Sequence, residues 1–132
     1  KNAAPSEHRH KAEERLAQAD VNGAVEHFRS QFAANPSSPR PLLAAAAALE
    51  RDGRFFDAAD ILREIIQRFQ RDDIIWSDAA YRLALLHETH LGEQTAAKTL
   101  YHQIVERTPR TKAGHLAGAR LSRYLTPPPD FR

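Results

Sequence analysis

The chain has 132 residues, of which 42% are hydrophobic and 27% charged, a composition typical of a soluble globular domain and not of a disordered segment. Its 19 basic residues nearly balance 17 acidic ones, so the overall charge gives no sign of nucleic-acid binding, and no run approaches the roughly 18 apolar residues of a membrane span. The absence of cysteine excludes a disulfide framework and thiolate catalysis but leaves the compartment open.

The first predicted element is a helical hairpin that follows a flexible lead-in at residues 1–5. Ser6 is a suitable N-cap for a helix that runs to about residue 18. Asn22-Gly23 then predicts a turn, and a second helix should run to about Ala34. The chain starts with Lys1 and carries no charged-then-apolar leader, so we expect a segment of a longer protein or a processed form.

A second hairpin follows a proline-rich break at residues 35–39. Ser38 is placed to cap a third helix over about 39–51, which contains five consecutive alanines. A fourth helix over about 53–70 has apolar residues at three-and-four spacing along one face. That face consists of Phe55, Ala58, Ala59, Leu62, Ile65, Ile66 and Phe69.

A third hairpin and one further helix complete the predicted elements. Asp73 is a suitable N-cap for the fifth helix, and Gly92 marks the turn into a sixth helix over about 93–108. Pro109 ends that helix, and Thr111 is placed to cap a seventh helix over 111–125. Three consecutive prolines cannot continue it, so residues 126–132 should form an extended tail.

The three hairpins share one pattern. Ala24, Ala58 and Ala97 each precede an aromatic residue or leucine by four positions, and they lie 34 and 39 residues apart. A period of this length is typical of stacked helical hairpins, in which each hairpin covers the apolar face of its neighbour. We therefore predict an all-α fold of about seven helices, with these alanines where two helices approach most closely.

This pattern resembles the tetratricopeptide repeat family. The middle repeat carries the resemblance most fully, whereas the third has Gln94 where an aromatic is expected and the first has Lys11 where leucine is expected. The matching positions of the middle repeat are Ala45, Ala46, Leu49, Gly53, Phe55, Ala58, Leu62 and Ile65. Those of the third are Leu83, Ala84, Gly92, Ala97, Tyr101, Ile104 and Pro109. The resemblance covers residues 6–125 and implies an α-solenoid, a right-handed superhelix with repeats at about 6–36, 39–70 and 73–109 and a capping helix at 111–125.

The resemblance also implies a concave groove, lined by the first helix of each hairpin, that holds an extended or helical segment of a partner protein. The groove residues that it implies are Arg40, Leu43, Ala47, Glu50, Tyr81, Arg82, Leu85, Glu88, Leu116 and Arg120. Arginines such as these and Arg123 could form bidentate contacts with a ligand carboxylate, and the alternative is that they are exposed only for solubility. The family's Lys and Asn set for chaperone C-termini is not matched.

No catalytic or metal-binding pattern stands out. His87 and His90 are one residue too close for the metalloprotease motif, and although His102 is a conceivable third ligand, solvated or packing histidines are the favoured interpretation. There is no phosphate-binding glycine-rich loop or nucleophile elbow. We therefore expect no enzyme activity, no metal and no cofactor. We expect Trp76 in the core rather than at an exposed binding spot, because Ile74 and Ile75 beside it suggest an apolar cluster.

The predicted function is a non-catalytic protein–protein interaction module in a larger bacterial protein, with self-association also open. The chain is similar to repeats of bacterial envelope proteins and to soluble tails of bacterial membrane proteins. The alternative is therefore an accessory domain of a membrane enzyme, such as a rhomboid-type protease, with catalysis outside this chain. Nucleic-acid binding is disfavoured, because acids interleave the arginines between residues 51 and 73. The sequence leaves the partner, the compartment and the oligomeric state open.

Overall fold

The protein is all-helical in a computed structural model that describes the backbone of residues 5–125 and the side chains of residues 18–124. Six helices cover this range, and it contains no strand. They are α1 (Pro5–Ala34), α2 (Arg40–Arg51), α3 (Phe55–Arg68), α4 (Asp73–Thr89), α5 (Gln94–Arg107) and α6 (Lys112–Leu125). The all-α prediction is confirmed with one helix fewer than expected. The predicted lead-in at 1–5 is one residue too long, because α1 begins at Pro5. Residues 1–4, the side chain of Ser6 and the tail at 126–132 lie outside the described residues.

The predicted turn at Asn22-Gly23 is wrong, because α1 continues through it. Gly23 does not have the left-handed φ that Gly53 and Gly92 have at real turns, and nothing lies within 4 Å of the place where its Cβ would be. Strong helix formers on both sides outweigh the cost of about 1 kcal/mol of one helical glycine. Ala24 therefore lies within a helix and is only partly buried, not at a hairpin crossing.

The chain divides into two compact units, of which unit 1 is Lys1–Arg54. In unit 1, α2 packs against α1. The end of α2 is a tight turn, in which Gly53 has φ +79° and the Arg54 N–H donates to the Leu49 carbonyl over 2.9 Å. This is the glycine-dependent helix stop that the sequence predicts at this point. The buried apolar residues of unit 1 include Phe32, Leu42, Ala45, Ala46, Ala48 and Leu49.

Unit 2 is Phe55–Arg132 and contains the other four helices. Each helix packs against the next, and α4 also contacts α6, the helix two further along. Such packing is consistent with a helical repeat, in which hairpins stack on their neighbours. Its core cluster consists of Trp76, Ala80, Ala84, Ala97, Tyr101, Ile104, Ala113, Ala117 and Leu121. Ala97 is fully buried in this cluster, as predicted for a close helix approach.

The cap of α4 differs from the prediction by one residue. Asp72, not Asp73, is the N-cap, and its carboxylate accepts hydrogen bonds from the Ile74 and Ile75 N–H groups. Trp76 is buried, as predicted, but Ile74 is 73% exposed, so the expected apolar cluster does not include it. The reason is geometric: two positions along a helix turn a side chain to roughly the opposite side.

The turn between α5 and α6 brings the backbone of α6 close to that of the turn itself. Thr111 caps α6 as predicted, because its Oγ1 accepts a hydrogen bond from the Gly114 N–H over 2.9 Å and donates one to the Thr108 carbonyl. A Cβ on Gly114 would overlap that Thr108 carbonyl oxygen and come within 3.0 Å of the Pro109 Cα. Glycine at 114 is therefore a steric requirement, which the repeat pattern did not reveal.

We predict that Gly114→Ala lowers the free energy of unfolding by about 1–3 kcal/mol, because α6 must shift away from the turn to make room for a methyl group. Urea denaturation followed by circular dichroism measures the loss. Gly118→Ala, one helical turn later, is the matched control. Its Cβ would meet only the Val105 side chain at 3.9 Å, so it should be neutral or stabilising by up to about 1 kcal/mol. Equal effects of the two substitutions would contradict the close approach at Gly114.

The continuity of α1 predicts that Gly23→Ala stabilises the helix by about 0.5–1 kcal/mol and raises its melting temperature. Gly92→Ala is the contrasting variant: at φ +68° alanine is strained, and we expect a loss of about 1–2 kcal/mol. Thermal unfolding followed by far-UV circular dichroism compares the two. A destabilised Gly23→Ala variant would indicate that residue 23 lies in a turn after all.

Candidate functional site

The candidate site in unit 2 is the surface where α4 and α6 meet, which we call the α4–α6 face. It consists of Tyr81, Leu85 and Glu88 from α4 and Leu116, Arg120 and Tyr124 from α6. We add Ile74, at the start of α4, because its spacing places it on the same side of that helix as Tyr81. The α4 residues are spaced by seven, four and three positions and the α6 residues by four, so each set lies along one side of its helix. All of them are at least partly exposed.

The carboxylate of Glu88 joins three helices at this face. Its Oε1 accepts hydrogen bonds from the Tyr101 hydroxyl of α5 over 2.7 Å and from Arg120 of α6, whose Nη2 lies at 2.8 Å and Nε at 3.2 Å. Its Oε2 accepts one from the Tyr124 hydroxyl over 2.7 Å. The side chains of Glu88 and Arg120 are only 14% and 23% exposed, so this ion pair is largely shielded from water.

These contacts fix the charge states of the Glu88 cluster, which consists of Glu88, Tyr101, Arg120 and Tyr124. Burial by itself would raise the pKa of Glu88, but the hydrogen bonds from Tyr101, Tyr124 and Arg120 outweigh it, so that the pKa of the carboxyl lies below its ordinary value. Burial and the bond to Glu88 raise the pKa of the Tyr101 phenol, and the bond to Glu88 raises the pKa of Arg120. At neutral pH the cluster therefore holds one carboxylate, one guanidinium and neutral phenols.

The network changes the expected role of two predicted groove residues. Arg120 already directs its Nε and one terminal nitrogen at Glu88, and Arg82 pairs with Asp78 one turn earlier on α4 over 3.1 Å. Arg120 therefore keeps one terminal nitrogen without a partner among the described residues, whereas Arg82 uses only its Nε and its side chain is 45% exposed, so both of its terminal nitrogens stay accessible to a ligand. In this arrangement Arg120 and Glu88 position α4 and α6 against each other, because every member of the cluster is hydrogen-bonded within the chain.

The apolar members of the face are its most accessible part. The Tyr81 ring lies 5.9 Å from the Tyr101 ring at 48° and packs against the core cluster. Leu85 is half-buried, whereas Leu116 is 39% exposed and Ile74 73% exposed. Ile74 was missed by the sequence analysis, which placed it in the core; its spacing of seven from Tyr81 was the available signal.

The other predicted groove residues lie on α2 in unit 1. Arg40 is exposed, and Leu43, Ala47 and Glu50 are partly buried. Their spacing of three, four and three positions places them along one side of α2. The structure brings Glu88 of α4 into contact with Arg120 of α6. Tyr81 and Leu85 lie along the same side of α4 as Glu88, and Leu116 lies one turn before Arg120. A groove that includes the α2 residues stays a prediction.

His87, in the last turn of α4, and His90, directly after that helix, have separate packing roles. His87 is buried, and its Nδ1 lies 2.7 Å from a Glu93 carboxylate oxygen. The His90 ring instead stacks on Phe55, with ring centroids 3.9 Å apart and planes 7° from parallel. Within residues 18–124, no group of three His, Cys, Asp or Glu side chains is arranged to hold a metal ion.

The sequence analysis missed two side-chain contacts of unit 2, those of Tyr124 and of Arg107. Tyr124 lies one helical turn after Arg120, and this spacing could have placed it beside the predicted groove, but the analysis ended the site at Arg120. The Arg107 guanidinium lies 4.1 Å from the centre of the Trp76 ring and donates to the Gln70 carbonyl. These contacts link α5 to the start of α4.

None of the helices described has both the length and the apolar character required to cross a bilayer.

Comparison with known families supports the repeat interpretation for part of the chain. Residues 78–111 match a family model described as a tetratricopeptide repeat. This segment comprises most of α4, all of α5 and the turn before α6, so the match falls on the third predicted repeat rather than on the middle one, which seemed the fullest. No curated protein sequence matches the chain.

We predict that Glu88→Gln lowers the free energy of unfolding at neutral pH by about 1–3 kcal/mol, because the Arg120 guanidinium loses a charged partner. The pKa of Glu88 is lowered in the folded state, so its stabilisation is complete above the ordinary value of 4.5 and is lost as the pH falls through the folded-state pKa. The difference between wild type and variant should therefore shrink in acid.

Urea denaturation of both proteins between about pH 3 and pH 7 measures this difference. Tyr124→Phe is the control variant: it removes one hydrogen bond but keeps the ion pair, so it should cost about 0.5–1.5 kcal/mol and retain the acid dependence. A Glu88→Gln deficit that stays constant over the whole pH range would contradict the charged network.

Proposed function

We propose that this chain, which carries a tetratricopeptide-type repeat at residues 78–111, is a non-catalytic protein–protein interaction module that holds a segment of a partner protein against the α4–α6 face. The single observation that carries the proposal is that the family match includes the α4 residues Tyr81, Leu85 and Glu88 of this face. The finer parts of the proposal are that the module belongs to a larger bacterial protein and that the partner is a segment of another protein rather than a second copy.

The composition of the α4–α6 face supports peptide binding. Its apolar residues Ile74, Tyr81, Leu85 and Leu116 lie between polar side chains, as in interfaces with an apolar centre and a polar rim. The spacing of these residues along the two helices suits an extended or helical segment with apolar side chains three or four positions apart.

The rigidity of the face also supports this role. Glu88 ties α4 to α5 and α6 through three side chains, so the relative position of the two lining helices is set before any partner arrives. A preorganised surface loses little conformational entropy on binding, which favours affinity from a small contact area.

We predict that a phage-displayed library of random peptides, selected on this chain, yields a family of peptides that bind with measurable affinity. Leu116→Asp and Ile74→Asp should each raise the dissociation constant of a selected peptide by roughly tenfold, because a charge replaces an apolar contact. Fluorescence anisotropy with the labelled peptide measures the change.

Phe56→Asp is the matched control, since Phe56 is 69% exposed but lies on α3. This helix is the second of its predicted hairpin and does not belong to the α4–α6 face. It should change the dissociation constant less than about twofold. Failure to enrich any peptide, or a larger effect of Phe56→Asp than of the two variants in the face, would count against the proposed function.

A further inference from the structure

The charges of unit 2 are separated along the chain. Residues 55–93, which contain α3 and α4, have four basic and eight acidic residues. Residues 94–125, which contain α5 and α6, have a single acidic residue, Glu106. The basic residues of this second part are Lys98, Arg107, Arg110, Lys112, Arg120 and Arg123. The near-neutral charge of the whole chain conceals this asymmetry, and such asymmetry points to an anionic partner.

Some of these cations are satisfied within the chain and others are not. Arg120 pairs with Glu88, Arg107 lies 3.5 Å from Asp73, and Lys98 lies over the Tyr124 ring at 4.9 Å. Arg110, Lys112 and Arg123 form no ion pair with another described side chain, and all three are exposed. Their charges are therefore available to a ligand.

The position of two of these cations connects them to the proposed binding face. Lys112, Leu116 and Arg123 are separated by four and seven positions, so they lie along one side of α6, adjacent to the side that carries Arg120. We call Lys112 and Arg123 the α6 basic pair. They are about 16 Å apart along the helix axis, and the 39% exposed Leu116 lies between them.

We infer that the α6 basic pair selects an acidic partner segment, with carboxylates that reach Lys112 and Arg123 and an apolar side chain that covers Leu116. This inference rests on the proposed function and names the chemical class of its partner. Since Glu88 holds Arg120, the carboxylate contact that the sequence analysis assigned to Arg120 passes to Lys112, and Arg123 keeps the role that the sequence analysis gave it.

The same surface is a poor match for nucleic acid or for a membrane. Bases stack on exposed aromatic rings, and the large exposed hydrophobic residues among those described are Phe56, Ile74 and Leu116, none of them an aromatic on α5 or α6. A membrane-surface helix needs a free apolar side, but Ala113, Ala117 and Leu121 of α6 are buried in the core cluster. A peptide that combines acidic and apolar side chains fits both features.

The test uses a fluorescein-labelled dodecapeptide of repeated Glu-Glu-Leu units, titrated with the full chain at about 0.15 M salt. The same peptide with glutamine in place of glutamate measures the contribution of charge. We expect the acidic peptide to bind and the Lys112→Glu/Arg123→Glu double variant to weaken it by roughly tenfold or more, since two attractive contacts become repulsive.

Arg71→Glu/Arg51→Glu is the matched control, because it changes the net charge equally at two exposed positions outside both the α6 surface and the predicted groove. It should weaken binding by less than about threefold. Thermal melts verify that all variants are folded. An equal loss in both double variants would overturn the inference, because it would mean unspecific attraction to overall charge.

Three other results would also overturn it. One is tighter binding of a single-stranded oligonucleotide of the same length, with the same dependence on Lys112 and Arg123. Another is salt-sensitive self-association through these two residues, which would make a second copy the occupant. The third is a set of library-selected peptides that bind the α4–α6 face but are not enriched in Asp or Glu. That third result would leave the proposed function intact, whereas a library without any binder would contradict the function itself.

Discussion

A single carboxylate, that of Glu88, connects α6 to both of the helices against which it packs. Glu88 lies near the end of α4, and its two oxygens accept hydrogen bonds from one residue of α5 and two of α6. A largely buried carboxylate without partners would be costly, and here the donors surround it on both oxygens. The same contacts that satisfy the charge fix the distance between α4 and α6. The α4–α6 face therefore exists in one shape, and its apolar residues are presented at a fixed spacing.

The turn into α6 supplies a second constraint, of steric origin. Thr108 is buried, its hydroxyl donates to the Ile104 carbonyl, and its own carbonyl lies against Gly114. Thr111 then caps the new helix. Together these residues start α6 close to α5, so that Ala113, Ala117 and Leu121 reach the core. The charged contact near the end of α6 and the packed contact at its start hold the helix at both ends.

Much of the fold could be predicted from the sequence, because its signals are local. The glycines at 53 and 92 require a left-handed φ, and the apolar spacing of α3 and α6 defines their buried sides. The turn predicted at Asn22-Gly23 was wrong, because an Asn-Gly pair suits a turn but does not enforce one. The helix-forming residues around the pair let α1 continue through it.

The candidate site was less predictable, because its contacts join residues that lie far apart in the sequence. Spacing identifies the side of a helix on which Glu88 or Arg120 lies, but not whether the two charges meet each other or a ligand. That choice depends on how close α4 and α6 come, which is set by small buried residues 30 or more positions apart. The sequence analysis therefore placed Glu88 and Arg120 in one predicted groove but expected Arg120 to bind the carboxylate of a partner, whereas in the structure Arg120 binds Glu88.

The distribution of aromatic residues between the two units gives each its own spectroscopic signature. The only tryptophan, Trp76, and all three tyrosines belong to unit 2, and the described aromatic rings of unit 1 apart from histidine are Phe28 and Phe32. Trp76 is 7% exposed, with a guanidinium over its ring, so its emission responds to the loss of that environment. Intrinsic fluorescence thus reports the unfolding of unit 2 alone, while the amide circular dichroism signal sums both units, and any offset between the two transitions would show that the units melt separately.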